Sequence, residues 1–182
     1  MAEKISQSSI LSSYELIRSH VRRTPILRVP AGELVEDVSV TLKFEQLQHS
    51  GSFKARGAFN SLLSGEIPAT GVIAASGGNH GAAVAYAAHK LGIRAEIFVP
   101  KIVSPIKLGK LEEYGAKINI VGDNFSEAFA ACLKRQQETG AKLLHAYDQA
   151  EIVSGQGTVA LELEEQAPEL DSVLVAVGGG GF

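Results

Sequence analysis

The stretch GVIAASGGNHGAAVAYAAHKLG, residues 71–92, joins a short apolar run, a polar turn with adjacent glycines, and an Ala-rich segment that stops at Gly92. The run is too short for a helix and reads as a buried strand, while the segment after the turn is long enough for a helix. Gly92 suits the left-handed position that ends one. A strand, a turn and a helix in this order form the repeating unit of a parallel sheet.

Outward from this stretch the pattern recurs. AEIFVP (95–100), AKINIV (116–121), AKLLHA (141–146) and DSVLVAV (171–177) are further apolar runs, spaced as a strand, crossover helix and loop require. IKLGKLEEYG stops at Gly115, SEAFAACLKRQQETG at Gly140, and Pro168 closes GTVALELEEQAP. A helix is predicted over residues 9–22 and a strand over residues 40–45. The fold class is α/β with a parallel sheet.

Composition narrows the function. The 182 residues are 45% hydrophobic and 20% charged, enough to bury a core. With 17 basic and 20 acidic residues, the net charge of −3 gives no footprint for nucleic acid or an anionic membrane, so a small molecule is the expected partner. The single cysteine, Cys132, has no disulfide partner and no neighbour at metal-ligand spacing. With no signal-peptide core and no membrane-length apolar run, a soluble cytoplasmic protein is expected.

Three polar loops interrupt the pattern. In SGSFKARGAFN (50–60), Ser50 or Ser52 can cap a helix whose first turn holds Phe53, Lys54 and Arg56, with Gly57 and Ala58 keeping one side thin. The plain reading is a capped surface helix with a solvated lysine. A cation at a helix N-terminus opposes the macrodipole, however, and a lysine used uncharged, as an amine nucleophile forming a Schiff base, accounts for it.

In SGGNHG (76–81) the glycines leave backbone N–H groups and a helix N-terminus open to an anion such as a carboxylate. Asn79 can donate to a phenolate-type oxygen, and His80 is either a donor or a satisfied cap residue. The plain reading is a tight connection. In VGGGGF (177–182), four glycines carry an ordering cost of about 0.5–1 kcal/mol each relative to Ala, which suits backbone contact with a phosphate. The plain reading is a flexible tail. Neither a dinucleotide fingerprint nor a P-loop lysine motif is present.

Taken together, the three loops supply an amine, an amide donor, a carboxylate turn and a phosphate loop, the parts that hold pyridoxal phosphate and an amino acid. The chain resembles the fold-type II pyridoxal-phosphate enzymes, in the threonine/serine dehydratase and serine racemase branch. The resemblance runs through TPILRV (24–29), FEQLQHSGSFKARGA (44–58), SGGNHGAAVAYAAHKLGI (76–93), VPKIVSPIKLGKLEEYGA (99–116), GQGTVALEL (155–163) and VGGGGF (177–182).

The resemblance implies a set of roles. Lys54 would attach pyridoxal 5'-phosphate covalently and Phe53 would lie against its ring. Asn79 would bond the ring's phenolic oxygen, and Gly178, Gly179, Gly180 and Gly181 would cradle the phosphate. Ser76, Gly77, Asn79 and His80 would receive the substrate carboxylate. The implied activity is dehydration and deamination of L-threonine or L-serine to a 2-oxo acid and ammonia, with racemisation and β-replacement as alternatives. A cofactor-free binding fragment is the non-enzymatic alternative.

Gly77 stands where serine racemases carry a serine that acts as a base, which points to elimination. Ser50-Gly51-Ser52 replaces the usual Thr-Gly-Ser, a mild change. The resemblance also implies a homodimer or homotetramer and a two-lobed fold: residues 50–146 in a smaller lobe, and residues 1–49 and 147–182 in a larger cofactor-binding lobe. Members of the family run well past the glycine loop, so the chain is expected to be one portion of a longer enzyme.

Overall fold

The computed structural model describes residues 5–182. Its centre is a four-stranded parallel sheet formed by β3 (Val72–Ala75), β4 (Ala95–Val99), β5 (Lys117–Ile120) and β6 (Lys142–Leu143), in the order β5-β4-β3-β6. Every residue of β3 is buried, because helices cover both faces and β4 and β6 flank it. On one face, Phe59 and Leu62 of α2 (Lys54–Leu63) and the alanines of α3 (Asn79–Lys90) pack on Val72, Ala74, Ile97 and Val99. On the other, Ile73, Ala75 and Phe98 meet Cys132 of α5 (Phe125–Thr139). The thiol of Cys132 is free, and burial pushes its pKa up to about 12, so it packs as a small apolar group.

The remaining elements flank this unit. β1 (Ile26–Val29) and β2 (Val40–Lys43) pair antiparallel, α1 (Gln7–Ile17) and α6 (Ala150–Gln166) pack on one another, and α4 (Pro105–Glu113) lies against α3. Helices α2 and α6 approach closely at Gly57 and Gly155: a methyl on Gly57 would stand 2.5 Å from Gln156 Nε2 and 2.7 Å from the Ile152 carbonyl. The thin side expected at Gly57 is this contact. Among the described residues no helix is long and apolar enough to cross a membrane.

Gly92, Gly115 and Gly140 all adopt left-handed φ at the ends of their helices, as the sequence pattern requires. Three expectations are corrected. First, α1 ends at Ile17 rather than near residue 22. The chain turns there because the Arg22 backbone exchanges two hydrogen bonds with the buried Gln48 side chain, at 2.9 and 2.7 Å. Second, neither Ser50 nor Ser52 caps α2; Phe53 occupies the cap position without a side-chain bond, and both serine hydroxyls are buried without a partner. Ser50 instead takes a left-handed turn with φ 60°, held by Lys110 Nζ donating to its carbonyl at 2.6 Å.

Third, residues 171–177 form no strand. A strand exists through its ladder of hydrogen bonds, and this segment pairs with none of the described strands. Its apolar side chains are therefore in solvent, Leu174 fully so at 100% exposure.

Candidate active site

The polar loops meet at the carboxyl edge of the parallel sheet, the end at which open α/β sheets present their ligand crevice. The turn SGGNHG leaves the C-terminus of β3 and opens α3. Gly81 is fixed by contact: a Cβ there would stand 1.9 Å from the Ser76 carbonyl and 3.3 Å from Ile97 Cγ2, so only glycine lets α3 start this close to the sheet. The N-cap of α3 is Gly78, with no side-chain cap, so the first N–H groups of the helix are left for an external acceptor. Ser76 Oγ accepts from the Gly78 N–H at 3.2 Å and braces the turn. The side chain of Asn79 is exposed at the first helical position.

His80 points the other way. It is buried, and its Nε2 donates to the Leu144 carbonyl at 3.0 Å, leaving Nδ1 without a partner. Burial chiefly, with the nearby positive charge of Lys54 and His145 adding to it against the Leu144 bond, lowers its pKa to about 4. Its folded value thus lies below the unfolded value of about 6.5. Stability linked to His80 is complete above the unfolded value and is lost as pH falls toward the folded one. A His80→Gln variant is expected to escape this loss, so its unfolding free energy relative to wild type, read from urea titrations, rises between pH 7 and pH 4.5 by up to about 2.5 kcal/mol.

Lys54 opens α2, and its Nζ donates to the Ala146 carbonyl at 2.7 Å. Its amine also lies 4.9 Å from the centroid of the Phe53 ring. Burial holds its pKa below the ordinary lysine value. The other face of the assembly comes from the glycine loop, because Phe182 stacks on Phe53 with centroids 4.0 Å apart and planes 24° apart. A flat aromatic ring is thus already seated on Phe53 beside the lysine amine, the contact that another planar ring would make in place of Phe182.

The segment 144–147, Leu-His-Ala-Tyr, ties these parts together; the sequence places residues 144–146 only as the end of a strand and assigns Tyr147 no role. β6 stops pairing after the Leu144 N–H reaches the Ile73 carbonyl, at 2.9 Å. The carbonyls of Leu144 and Ala146 are then free to hold His80 and Lys54. A cluster two residues beyond Lys54 was likewise missed. Arg56, 0% exposed, makes two-pronged contacts with Glu45 at 2.8 and 2.9 Å and with Glu162 at 2.7 and 2.9 Å. Lys43 Nζ adds a bond to Glu162 at 2.6 Å, so two cations and two carboxylates balance. The hydrogen bonds to Glu45 and Glu162 outweigh burial and raise the Arg56 pKa, while bonds to Arg56 and Lys43 outweigh burial and hold the Glu162 carboxyl low. The only sequence signal was charged residues at Lys43, Glu45, Arg56 and Glu162 within otherwise packed elements.

Residues 17–182 match the family described as pyridoxal-phosphate dependent enzyme. The chain belongs to this family. It is 39% identical over 168 residues to the L-threonine ammonia-lyase of Geobacter sulfurreducens, covering 91% of this chain and 42% of that one. It is 41% identical over 176 residues to the serine racemase of Arabidopsis thaliana, covering 96% and 53%. The structure of maize serine racemase superposes with a TM-score of 0.89 at 36% identity, covering 96% of this chain and 54% of that one. The chain thus spans about half the length of the curated relatives it matches. The architecture is that of the fold-type II pyridoxal-phosphate enzymes, and the cofactor of the family is pyridoxal 5'-phosphate.

Proposed function

We propose that the protein carrying this chain converts L-threonine or L-serine to a 2-oxo acid and ammonia, using pyridoxal 5'-phosphate. The observation that carries this reading is the half-buried amine of Lys54, with lowered pKa, beside an aromatic face that stacks a flat ring and close enough to the α3 N-terminal turn that His80 feels its charge. The residues fit the cofactor on three counts. Lys54 is held only by a backbone carbonyl that it can leave, Phe53 stacks a planar ring, that of Phe182, which a cofactor ring would replace, and the glycine loop presents backbone without side chains. In this reading Gly178, Gly179, Gly180 and Gly181 hold the phosphate and Asn79 bonds the phenolic oxygen. The cofactor, when bound, supplies the electron sink for negative charge at the substrate Cα.

The rest falls to the chain. The uncapped N–H groups at the start of α3, with Ser76, Gly77, Asn79 and His80 forming the turn, orient the substrate carboxylate. The Lys54 amine, once neutral, takes the Cα proton, and burial favours that neutral form. The β-hydroxyl then leaves as water, and hydrolysis of the remaining C–N bond releases ammonia. Residues 50–146 would form the smaller lobe of this enzyme, and residues 1–49 with 147–182 part of the larger one.

Gly77 supports elimination over racemisation. It offers no side chain as an opposite-face base, and a Cβ there would stand 2.8 Å from Val103 Cγ2, so the neighbouring loop already fills that space. The full-length protein, given L-serine or L-threonine, is expected to release pyruvate or 2-oxobutanoate as the main product, measured as 2-oxo acid. D-serine as the main product would replace this reading with racemisation, and a thiol amino acid formed on adding sulfide would replace it with β-replacement.

A further inference from the structure

The four glycines of residues 178–181 are not equivalent. A Cβ on Gly179 would stand 2.5 Å from Tyr147 Cδ1 and 2.6 Å from its Cε1, and one on Gly181 would stand 2.5 Å from Tyr147 Cβ and 2.7 Å from its Cα. Gly178 and Gly180 have nothing within 4 Å of the same position. The loop therefore lies on Tyr147 through alternate residues and leaves the other two facing open space. Gly180 adopts φ +81°, a left-handed conformation within the loop.

Tyr147 is itself held. His145 Nδ1 accepts the backbone N–H groups of Tyr147 at 3.4 Å and Asp148 at 3.1 Å. The His145 ring meets the Tyr147 ring edge-on at 4.6 Å between centroids and the Phe129 ring at 5.8 Å. The His145 N–H in turn donates to Gln149 Oε1 at 2.7 Å, and Gln149 Nε2 donates to the Leu143 carbonyl at 2.9 Å. A chain of packed rings and hydrogen bonds thus runs from the end of the parallel sheet to the underside of the glycine loop.

We propose that Tyr147 is a positioning residue that orders the glycine loop, and thereby sets the preference for a phosphorylated over an unphosphorylated pyridoxal. The inference rests on the reading of that loop as the phosphate cradle. Four consecutive glycines have the largest conformational freedom a backbone can have, so a loop without a floor must be ordered by the ligand at the ligand's expense. A fixed aromatic floor removes that burden before the phosphate arrives. The hydroxyl of Tyr147 makes no hydrogen bond among the described residues, so the ring alone is the working part.

The test uses the full-length protein and two probes, pyridoxal 5'-phosphate and pyridoxal, titrated by the borohydride-reducible absorbance band. Tyr147→Ala is expected to weaken binding of the phosphorylated probe by about 10-fold and to change pyridoxal less than about twofold. Tyr147→Phe is expected to keep both at wild-type strength. Gly179→Ala should show the same selective loss, and in the Gly179→Ala/Tyr147→Ala double variant the two losses should not add, because the atoms nearest the added methyl belong to the Tyr147 ring. Gly179→Ala, which keeps the Tyr147 ring, carries the test by its own selective loss if Tyr147→Ala loses its near-ultraviolet circular dichroism. Equal weakening of both probes, or no weakening of either, overturns the proposal. A wild-type protein that binds both probes equally overturns the phosphate reading of the loop and the proposal with it, whereas failure confined to the variants leaves that reading standing.

Discussion

Lys54→Ala is expected to abolish covalent cofactor attachment and to lower 2-oxo acid release by about 10³-fold or more, in line with the loss of a positioned nucleophile and base. Three features of the amine support so large an effect. It is the first residue of α2, so its direction is set by the helix rather than by a loop. Its partner, the Ala146 carbonyl, accepts a hydrogen bond but cannot neutralise it, so burial acts on its pKa without an opposing carboxylate. The ring of Phe53 flanks it and Phe182 covers that ring.

The same substitution is expected to leave folding largely intact. A charge-assisted bond to a carbonyl contributes about 1.5–3 kcal/mol at most, and the Lys54 side chain is only partly buried. Lys54→Arg separates charge from nucleophilicity: it keeps a cation that reaches Ala146 but stays protonated, so activity is expected to fall as far as in the alanine variant. Paired assays of 2-oxo acid release and of the borohydride-reducible band check both substitutions. Turnover unchanged in either variant would remove Lys54 from the mechanism.

Arg56→Met should destabilise the fold by about 3–5 kcal/mol, because it strands the buried carboxylate of Glu162 and the partly buried one of Glu45 rather than removing a balanced set. Glu162 is 1% exposed and would keep only Lys43, while Glu45 would lose its two-pronged partner. Arg56→Lys should recover only part of the loss, since an ammonium cannot span two carboxylates with paired bonds. The pH dependence has a definite sign. The folded Glu162 carboxyl lies below its ordinary value, so its contribution is present above the unfolded value and fades as pH falls through the folded one. Protonation of Glu162 also relieves the stranded charge of the methionine variant. The gap between wild type and Arg56→Met in urea midpoint should therefore be largest near pH 7 and narrow toward pH 4, and a gap that does not narrow would show that packing rather than charge is lost.

This network also bears on Lys54. Arg56 fastens the first turn of α2 to Glu45, just after β2, and to Glu162 on α6, so the turn that presents the lysine is clamped from two sides. Gly57 and Gly155 let the two helices close far enough for those bonds to form. Packing and electrostatics at this point are therefore one device.

Several elements were legible because their signals are local. Strand β3, the turn SGGNHG and α3 follow from a short apolar run, paired glycines and an Ala-rich segment, each read within a few residues of itself. Gly92, Gly115 and Gly140 mark helix ends because left-handed φ is a property of one residue and its neighbours. Lys54 stood out because a cation at a helix start conflicts with the helix dipole.

What tertiary structure alone decided are the pairings between residues distant in the chain. The strand expected at residues 171–177 needed a neighbouring edge, which no local pattern can supply. The capping serines of α2 proved to be buried and unbonded, because the chain enters the helix through the left-handed turn at Ser50. Arg56 finds its carboxylates 11 residues before it and 106 after, and Tyr147 meets glycines more than 30 residues later. Sequence determined which local conformations and chemical groups this protein carries, because those depend on a residue and its immediate neighbours. Only the folded chain decided that the carbonyls of Leu144 and Ala146 hold His80 and Lys54, and that Tyr147 lies under the glycine loop, because such contacts depend on how β6 ends beside β3.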